Sequence, residues 1–395
     1  MIAAHIVWDH RFTAYDFGRG HPMHPMRLQL THTLSQALGL LDHEEVTVGP
    51  ARPAETDLLG QIHSGALIEE VRRLSADPGA ADGRFGIGSS DTPAFSGMHE
   101  ASALAVGATV EAARQVWSGQ VPHAVNIAGG LHHAMPGRAS GFCVYNDVAA
   151  GILDLLAHGA ERVAYLDLDV HHGDGVETIF WNDPRVLTVS LHETGRMLFP
   201  GTGFAGDTGG PGAPDSAVNV ALPPETDDRG WLRAFAAVVP ALLGAFSPDV
   251  IVSQHGCDSH RDDPLAHLSL TIDGMRTAQE WVHELAHREC EGRWVALGGG
   301  GYELVQVVPR AWSHLVGLAG HRPVGLDAAI PSEWQQMVRR VCGVNAPATM
   351  GDRGGAAIEY GAWEEGYNPD DPVDSSVMAT RRAVFPGWGL DPFFD

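Results

Sequence analysis

The sequence predicts an α/β domain with a mainly parallel central sheet flanked by helices. Three observations carry this. Short apolar runs alternate with longer stretches of helical periodicity through about residue 320, the pattern of a doubly wound sheet. Several of those runs end in polar clusters rich in Gly, His and Asp, and ligands gather at the carboxyl ends of parallel strands. A chain of 395 residues with 44% hydrophobic and 19% charged content can also bury a large core.

In chain order, Ala4-His5-Ile6-Val7-Trp8 reads as a short edge strand. The stretch from Gly20 to Arg27 is a loop fixed by Pro22 and Pro25. Residues 28–41 and 61–75 have helical periodicity, and residues 83–97 are a Gly/Ser/Pro-rich loop holding Asp91. An alanine-rich amphipathic helix covers 100–117. A strand over 123–128 then runs into Gly129-Gly130-Leu131-His132-His133, and a helix covers 146–158. Val163-Ala164-Tyr165-Leu166 is a buried strand that leads into Asp167-Leu168-Asp169-Val170-His171-His172-Gly173-Asp174-Gly175. A helix over 175–181 and a strand over 186–191 follow. Residues 195–216 hold seven glycines and three prolines, and a loop of that length inside a compact domain is often functional. A helix at 230–246, a strand at 249–254 ending near Asp258, and a helix at 273–288 come next. A strand at 293–297 leads into four glycines and Tyr302, and a helix at 304–318 closes the pattern.

The expected organisation is one domain over 1–320 and an extension over 321–395. The extension is irregular, rich in Gly, Pro and acid. Its Trp363, Tyr367, Phe385, Trp388, Phe393 and Phe394 argue that it packs on the body.

The net charge of −24 repels phosphate backbones and anionic membranes, and no local basic patch offsets it. The sequence therefore points away from nucleic-acid and membrane partners. Every one of the 25 positive residues is arginine. The four cysteines have no CxxC spacing, which suits a reducing compartment. With no signal-peptide pattern and no apolar run of spanning length, a cytoplasmic location is expected.

Asp169 and His171 are two apart, so on an extended backbone they share a side. With Asp258 they make a two-carboxylate, one-histidine site with open positions, the layout of a catalytic metal centre and not of a closed structural one. His132, His133, Asp167 and Asp174 remain for proton transfer, and Tyr302 can donate to an oxyanion. A metal, a base and a phenol add up to hydrolysis of a carbonyl compound.

These motifs resemble the zinc-dependent histone deacetylase family, and within it the bacterial acetoin utilization proteins. The matching pieces are His-Pro-Met at 21–23, Gly-Gly-Leu-His-His-Ala at 129–134, Gly-Phe-Cys at 141–143 and Asp-x-Asp-x-His-His-Gly-Asp-Gly at 167–175. Ser-Leu-His at 190–192, Phe-Pro-Gly-Thr-Gly at 199–203, Gln-x-Gly-x-Asp at 254–258, Asp-Pro at 263–264 and Gly-Gly-Gly-Gly-Tyr at 298–302 also match. The resemblance implies an arginase/deacetylase-like fold and Zn²⁺, or Fe²⁺, held by Asp169, His171 and Asp258. It implies pairs of His132 with Asp167 and of His133 with Asp174, His133 as general base and acid, and Tyr302 on the acetyl oxygen. Phe142 and Phe199 would wall a lysine tunnel, with Gly141 beside them. Asp91 would hold substrate backbone at the rim, and Arg27 would lie at the inner end, where acetate leaves. A structural K⁺ would sit on backbone carbonyls of Asp167, Asp169 and His171, with Ser190 and Leu191.

The resemblance further implies hydrolysis of the acetyl-amide of Nε-acetyl-lysine in proteins, with an acyl-CoA synthetase as one possible partner. Three other readings compete. A deacetylase of acetylpolyamines should carry an acidic gate, and Leu265 stands at that position. An arginase-like two-metal enzyme needs a second carboxylate two residues after Asp258, where His260 stands. A catalytically dead binding module should have lost a ligand or the tyrosine, and none is lost.

Overall fold

The apolar runs pair, side by side, into one sheet. A computed structural model describes residues 2–395. Its strands are β1 (Ala4–Val7), β2 (Val46–Gly49), β3 (His123–Asn126), β4 (Val163–Asp167), β5 (Val186–Glu193), β6 (Ala217–Leu222), β7 (Val250–Gln254) and β8 (Trp294–Leu297). Its α-helices are α1 (Met26–Ala37), α2 (Thr56–Ile62), α3 (Gly65–Ala76), α4 (Met98–Trp117), α5 (Asp147–Ala157), α6 (Asp174–Phe180), α7 (Asp228–Phe246), α8 (Ile272–Glu289), α9 (Val308–Ala319), α10 (Ser332–Cys342) and α11 (Pro372–Val384).

The sheet order is β2-β1-β3-β8-β7-β4-β5-β6, and all seven pairings are parallel. Every residue of β3, β4, β7 and β8 is buried, as expected when helices cover both faces of a parallel sheet. One helical layer is α4 packed on α5. The other is the series α1, α9, α8 and α7. Side-chain caps start several of these helices: Asn146 accepts from the Ala149 N–H at α5, and Thr271 from the Gly274 N–H at α8.

The structure corrects the sequence reading at several points. β1 is interior, and the true edge strand beside it is β2, which the sequence did not reveal because only Val46 of its four residues is buried. The helix expected over 61–75 is two helices. The chain breaks at His63 and Ser64, where Ser64 caps α3 and the His63 ring accepts from the Asn146 N–H. The helix expected over 28–41 runs from Met26 to Ala37. β6 follows the long loop unannounced, at the far edge of the sheet. α7 is long and apolar enough to cross a membrane by composition, yet Trp231, Phe235 and Leu242 are buried in the core.

Residues 321–395 are less irregular than expected. α10 lies on α1, where the Trp334 indole N–H donates to Leu30 O at 3.2 Å. α11 packs on β6 and α7. Trp363 and Phe385 are buried and Trp388 meets Phe246 edge-on, but Phe394 is 83% exposed. The pin of this segment is Arg381, a fully buried guanidinium stacked on Phe385 at 4.3 Å and Trp363 at 4.9 Å. Its N–H groups donate to the carbonyls of Ala237 and Pro392. Arg381→Met keeps much of the volume but strands those carbonyls. It should lower unfolding stability by about 2–3 kcal/mol, read as a shifted denaturant midpoint; an unchanged midpoint would show that the pin contributes nothing.

Candidate active site

Four strands that are scattered in the chain are neighbours in the sheet: β3, β8, β7 and β4. Each ends in one of the polar clusters, so their carboxyl ends assemble a single site. The loop after β3 brings His132 and His133. β4 ends at Asp167 and continues to Asp169, His171 and Asp174. β7 ends at Gln254, just before Asp258, and β8 runs into residues 298–301 and Tyr302.

Donor atoms of Asp169, His171 and Asp258 all lie within 4.8 Å of one another. His171 Nδ1 is 3.1 Å from Asp169 Oδ1 and 3.1 Å from Asp258 Oδ2. All three residues are buried, and burial together with the charge of Asp169 pushes the Asp258 carboxyl up. Two buried carboxylates facing one imidazole call for a cation. The backbone makes room for this cluster: a Cβ at Gly256 would run into the Asp169 carboxylate, and one at Gly300 into that of Asp258. The donor set is the mixed imidazole–carboxylate kind that zinc or ferrous iron accepts with positions to spare, so the residues fit the ion that the resemblance implies.

Beside the cluster stand two Asp–His pairs. His132 Nδ1 is 2.8 Å from Asp167 Oδ2, and His133 Nδ1 is 2.7 Å from Asp174 Oδ1. The two Nε2 atoms are 3.0 Å apart. The pairs look alike but titrate apart. Burial pulls His132 down, but the charges of Asp167 and Asp169 outweigh it and hold the ring up at about 9. Burial and the neighbouring His132 hold His133 down at about 4, against its bond to Asp174.

The histone deacetylase domain model matches residues 21–319. The chain belongs to the histone deacetylase family. It is 40% identical over 349 residues to the acetoin utilization protein AcuC of Bacillus subtilis (strain 168), covering 88% of this chain and 89% of that one. It is 38% identical over 331 residues to the AcuC of Staphylococcus xylosus, with 83% and 85% covered. A solved structure, the HDA15 HD domain, superposes with a TM-score of 0.76 at 24% identity over 98% of this chain and 97% of that one, a likeness of fold.

The remaining residues expected from the family motifs have the following neighbours. Phe142 lies edge-on to Tyr302 at 5.6 Å, and Phe199 edge-on to His133 at 5.0 Å, so one ring borders the phenol and the other the imidazoles. Gly141 has φ +52, and a Cβ there would strike the His133 and Phe199 rings. Asp91 Oδ2 accepts from the Gly141 N–H at 3.0 Å and from Thr92 Oγ1 at 3.0 Å, so within this chain it ties down the Gly141–Phe142 turn. Arg27 is buried behind the Tyr302 loop. Its Nη1 donates to Gly299 O at 2.9 Å and Gly301 O at 3.0 Å, and it stacks on Trp312 at 5.1 Å. It also lines a small pocket with Met23, Leu28 and Leu131. Leu265 is half-buried, its N–H on Asp263 Oδ1 at 3.0 Å. Ser190 pairs with Asp167 in the β4–β5 register, Leu191 follows it, and Ser190 Oγ meets His192 Nδ1 at 2.8 Å. His260 bonds Asp352 at 2.8 Å, so the position an arginase-like second carboxylate would need is tied to the C-terminal segment instead.

Several positioning groups escaped the sequence reading. Gln254 Nε2 donates to Asp169 Oδ2 at 2.7 Å, and Tyr165 Oη to Asp167 Oδ2 at 2.7 Å. Buried Asp147 accepts from the Gly130 and Leu131 N–H groups at 3.0 and 2.7 Å and so fixes the loop that carries the two histidines. Asp263 Oδ2 accepts from the Tyr302 N–H at 2.7 Å. The available signal was a polar side chain in or directly after a buried strand, as at Tyr165 and Gln254. Asp147 had none, and Asp263 appeared only within the Asp-Pro piece at 263–264, with no role attached.

Proposed function

We propose that this protein hydrolyses the acetyl-amide of Nε-acetyl-lysine in proteins and releases acetate. The observation that carries the reading is the pair of Asp–His couples standing beside a three-donor cluster at the carboxyl ends of neighbouring strands.

Neutral His133 accepts a proton at Nε2 from the attacking water as its oxygen bonds to the acetyl carbon. Asp174 keeps the other ring proton on Nδ1 and steadies the imidazolium. His132 stands beside His133, Nε2 to Nε2 at 3.0 Å, and its bond to Asp167 orients it toward the reacting centre, while Tyr302 Oη donates to the developing oxyanion. When the C–N bond breaks, His133 Nε2 returns the proton to the departing amine, and the acetic acid left behind ionises to acetate, its proton going to the freed amine. A divalent ion on Asp169, His171 and Asp258, zinc or ferrous iron, would polarise the carbonyl and make the water more acidic.

Phe142 and Phe199 flank the acetylated chain, and Gly141 leaves it space. Asp91, at the outer side of that turn, is the group to hold substrate backbone. Arg27 and its pocket stand at the inner side, on the route for acetate. A structural potassium ion on the carbonyls of Asp167, Asp169 and His171 with Ser190 and Leu191 is supported by the β4–β5 register, which gathers these segments. Leu265 supports a protein substrate over a polyamine, because an apolar side chain there offers no attraction to a cationic chain.

The test is turnover of metal-replete protein on acetyl-lysine peptides, acetylpolyamines and arginine. Acetyl-lysine peptides should lead in kcat/KM by roughly tenfold or more, with arginine inert. Faster turnover of acetylspermidine would reassign the substrate to small amines.

A further inference from the structure

Four histidines distant in sequence meet at the amino end of the sheet, away from the deacetylase site. His123 is the first residue of β3, His283 and His287 lie one turn apart on α8, and His321 follows α9. Across all six pairs their ring centroids are 4.7 to 5.4 Å apart. A donor nitrogen from each lies within 4.8 Å of the other three. His287 Nε2 is 3.1 Å from His283 Nε2 and 3.3 Å from His321 Nε2. Four nitrogens set tetrahedrally about 2.0–2.1 Å from a zinc ion stand roughly 3.3 Å from one another.

His123 adds an independent observation. Its ring is buried and its Nδ1 donates to Ala319 O at 2.7 Å, which leaves the lone pair on Nε2. That Nε2 has no hydrogen-bond partner among the described residues. A backbone bond on one ring nitrogen and a free lone pair on the other is how metal-ligating histidines are oriented. Contacts among the other three rings leave His123 unsatisfied, so mutual hydrogen bonding does not account for the cluster. The chain also keeps a place for His287: Gly292 has φ +83, and a Cβ there would press on that ring at 3.0 Å.

We propose that His123, His283, His287 and His321 form a second metal site, for a divalent ion of the zinc type, distinct from the Asp169–His171–Asp258 centre. The donors are all imidazole, which suits zinc and its neighbours and disfavours calcium or magnesium. Four protein ligands close the coordination shell, so the site is structural. It ties the start of β3 to α8 and to the end of α9.

The experiment isolates this site with Asp258→Ala, which removes a ligand of the catalytic centre. That variant should retain one zinc per chain after gel filtration and gain thermal stability when zinc is added to the stripped protein. Its Co²⁺ form should show the intense visible bands of tetrahedral cobalt. Adding His287→Ala and His321→Ala, both at exposed positions, should abolish retention, stabilisation and bands together. In the otherwise native protein the same two substitutions should remove one of two zinc ions and leave deacetylation intact. The proposal is overturned if Asp258→Ala protein retains no zinc, or if the two histidine substitutions leave its zinc content unchanged.

Discussion

Stripping divalent ions with a chelator is expected to lower deacetylation on the order of 10³-fold or more, with restoration by zinc or ferrous iron. The cluster of Asp169, His171 and Asp258 motivates this, because its two buried carboxylates face one imidazole and Asp258 is pushed up by burial and by Asp169. Asp258→Asn should reproduce the loss without a chelator. The asparagine oxygen can still accept from the Val170 N–H, which Asp258 Oδ1 holds at 3.1 Å, so local backbone geometry is kept while a charged ligand is lost. The fold should survive either treatment. The strands under the site are buried in an apolar core that does not depend on the ion. Activity is measured alongside far-ultraviolet circular dichroism. Full activity in protein shown to be ion-free would remove the metal from the reaction, and collapse of the dichroism with activity would make the centre structural. Comparing chelator with Asp258→Asn also separates the two metal sites, since only the chelator empties the four-histidine cluster.

What the sequence made legible follows from how local each signal is. β4 announces itself through an uninterrupted apolar run, but it ends at Asp167, and Asp169 and His171 meet in the bend after it, where the His171 N–H donates to Asp169 Oδ1 at 3.0 Å, not on the extended backbone the spacing suggested. The parallel sheet follows from the alternation, and the sheet then brings four strand ends together. β2 was missed because its alternating Val46-Thr47-Val48 is too short to stand out and three of its four residues are not buried. Its partner β1 was therefore misread as an edge. α10 and α11 sit in a Gly/Pro-rich tail whose composition masks them. The support of the site is non-local in the same sense: Asp147 and Asp263 act on N–H groups 16 to 39 residues away, and neither Asp147's surroundings nor the Asp-Pro pair at 263–264 points to those partners. The four-histidine cluster joins positions 123, 283, 287 and 321, of which only the His-x-x-x-His spacing on α8 is visible in one stretch of chain.

Tyr302→Phe is expected to lower kcat by roughly 10²–10³, while the affinity of a hydroxamate falls much less. The phenol is asked to donate only to the oxygen that becomes charged, so its loss should appear in turnover more than in binding. The surroundings hold the ring ready. Its backbone N–H is on Asp263, its ring edge meets Phe142, and Arg27 clamps the carbonyls of Gly299 and Gly301 on either side of the turn. The four glycines before it suggest a hinge from sequence alone, but their packing gives another reason. A Cβ at Gly298 would run into Ile127 backbone, at Gly299 into the Gln254 amide, at Gly300 into the Asp258 carboxylate and at Gly301 into Cys257 Sγ, with φ +146 at Gly299 and +131 at Gly301. These glycines permit close approach, which preorganises the phenol. Arg27→Met should therefore lower kcat as Tyr302→Phe does, by loosening the turn, and combining the two should add little beyond the tyrosine change alone. Fully multiplicative effects would mean that Arg27 acts elsewhere, and an unchanged kcat in Tyr302→Phe would take the phenol out of the mechanism.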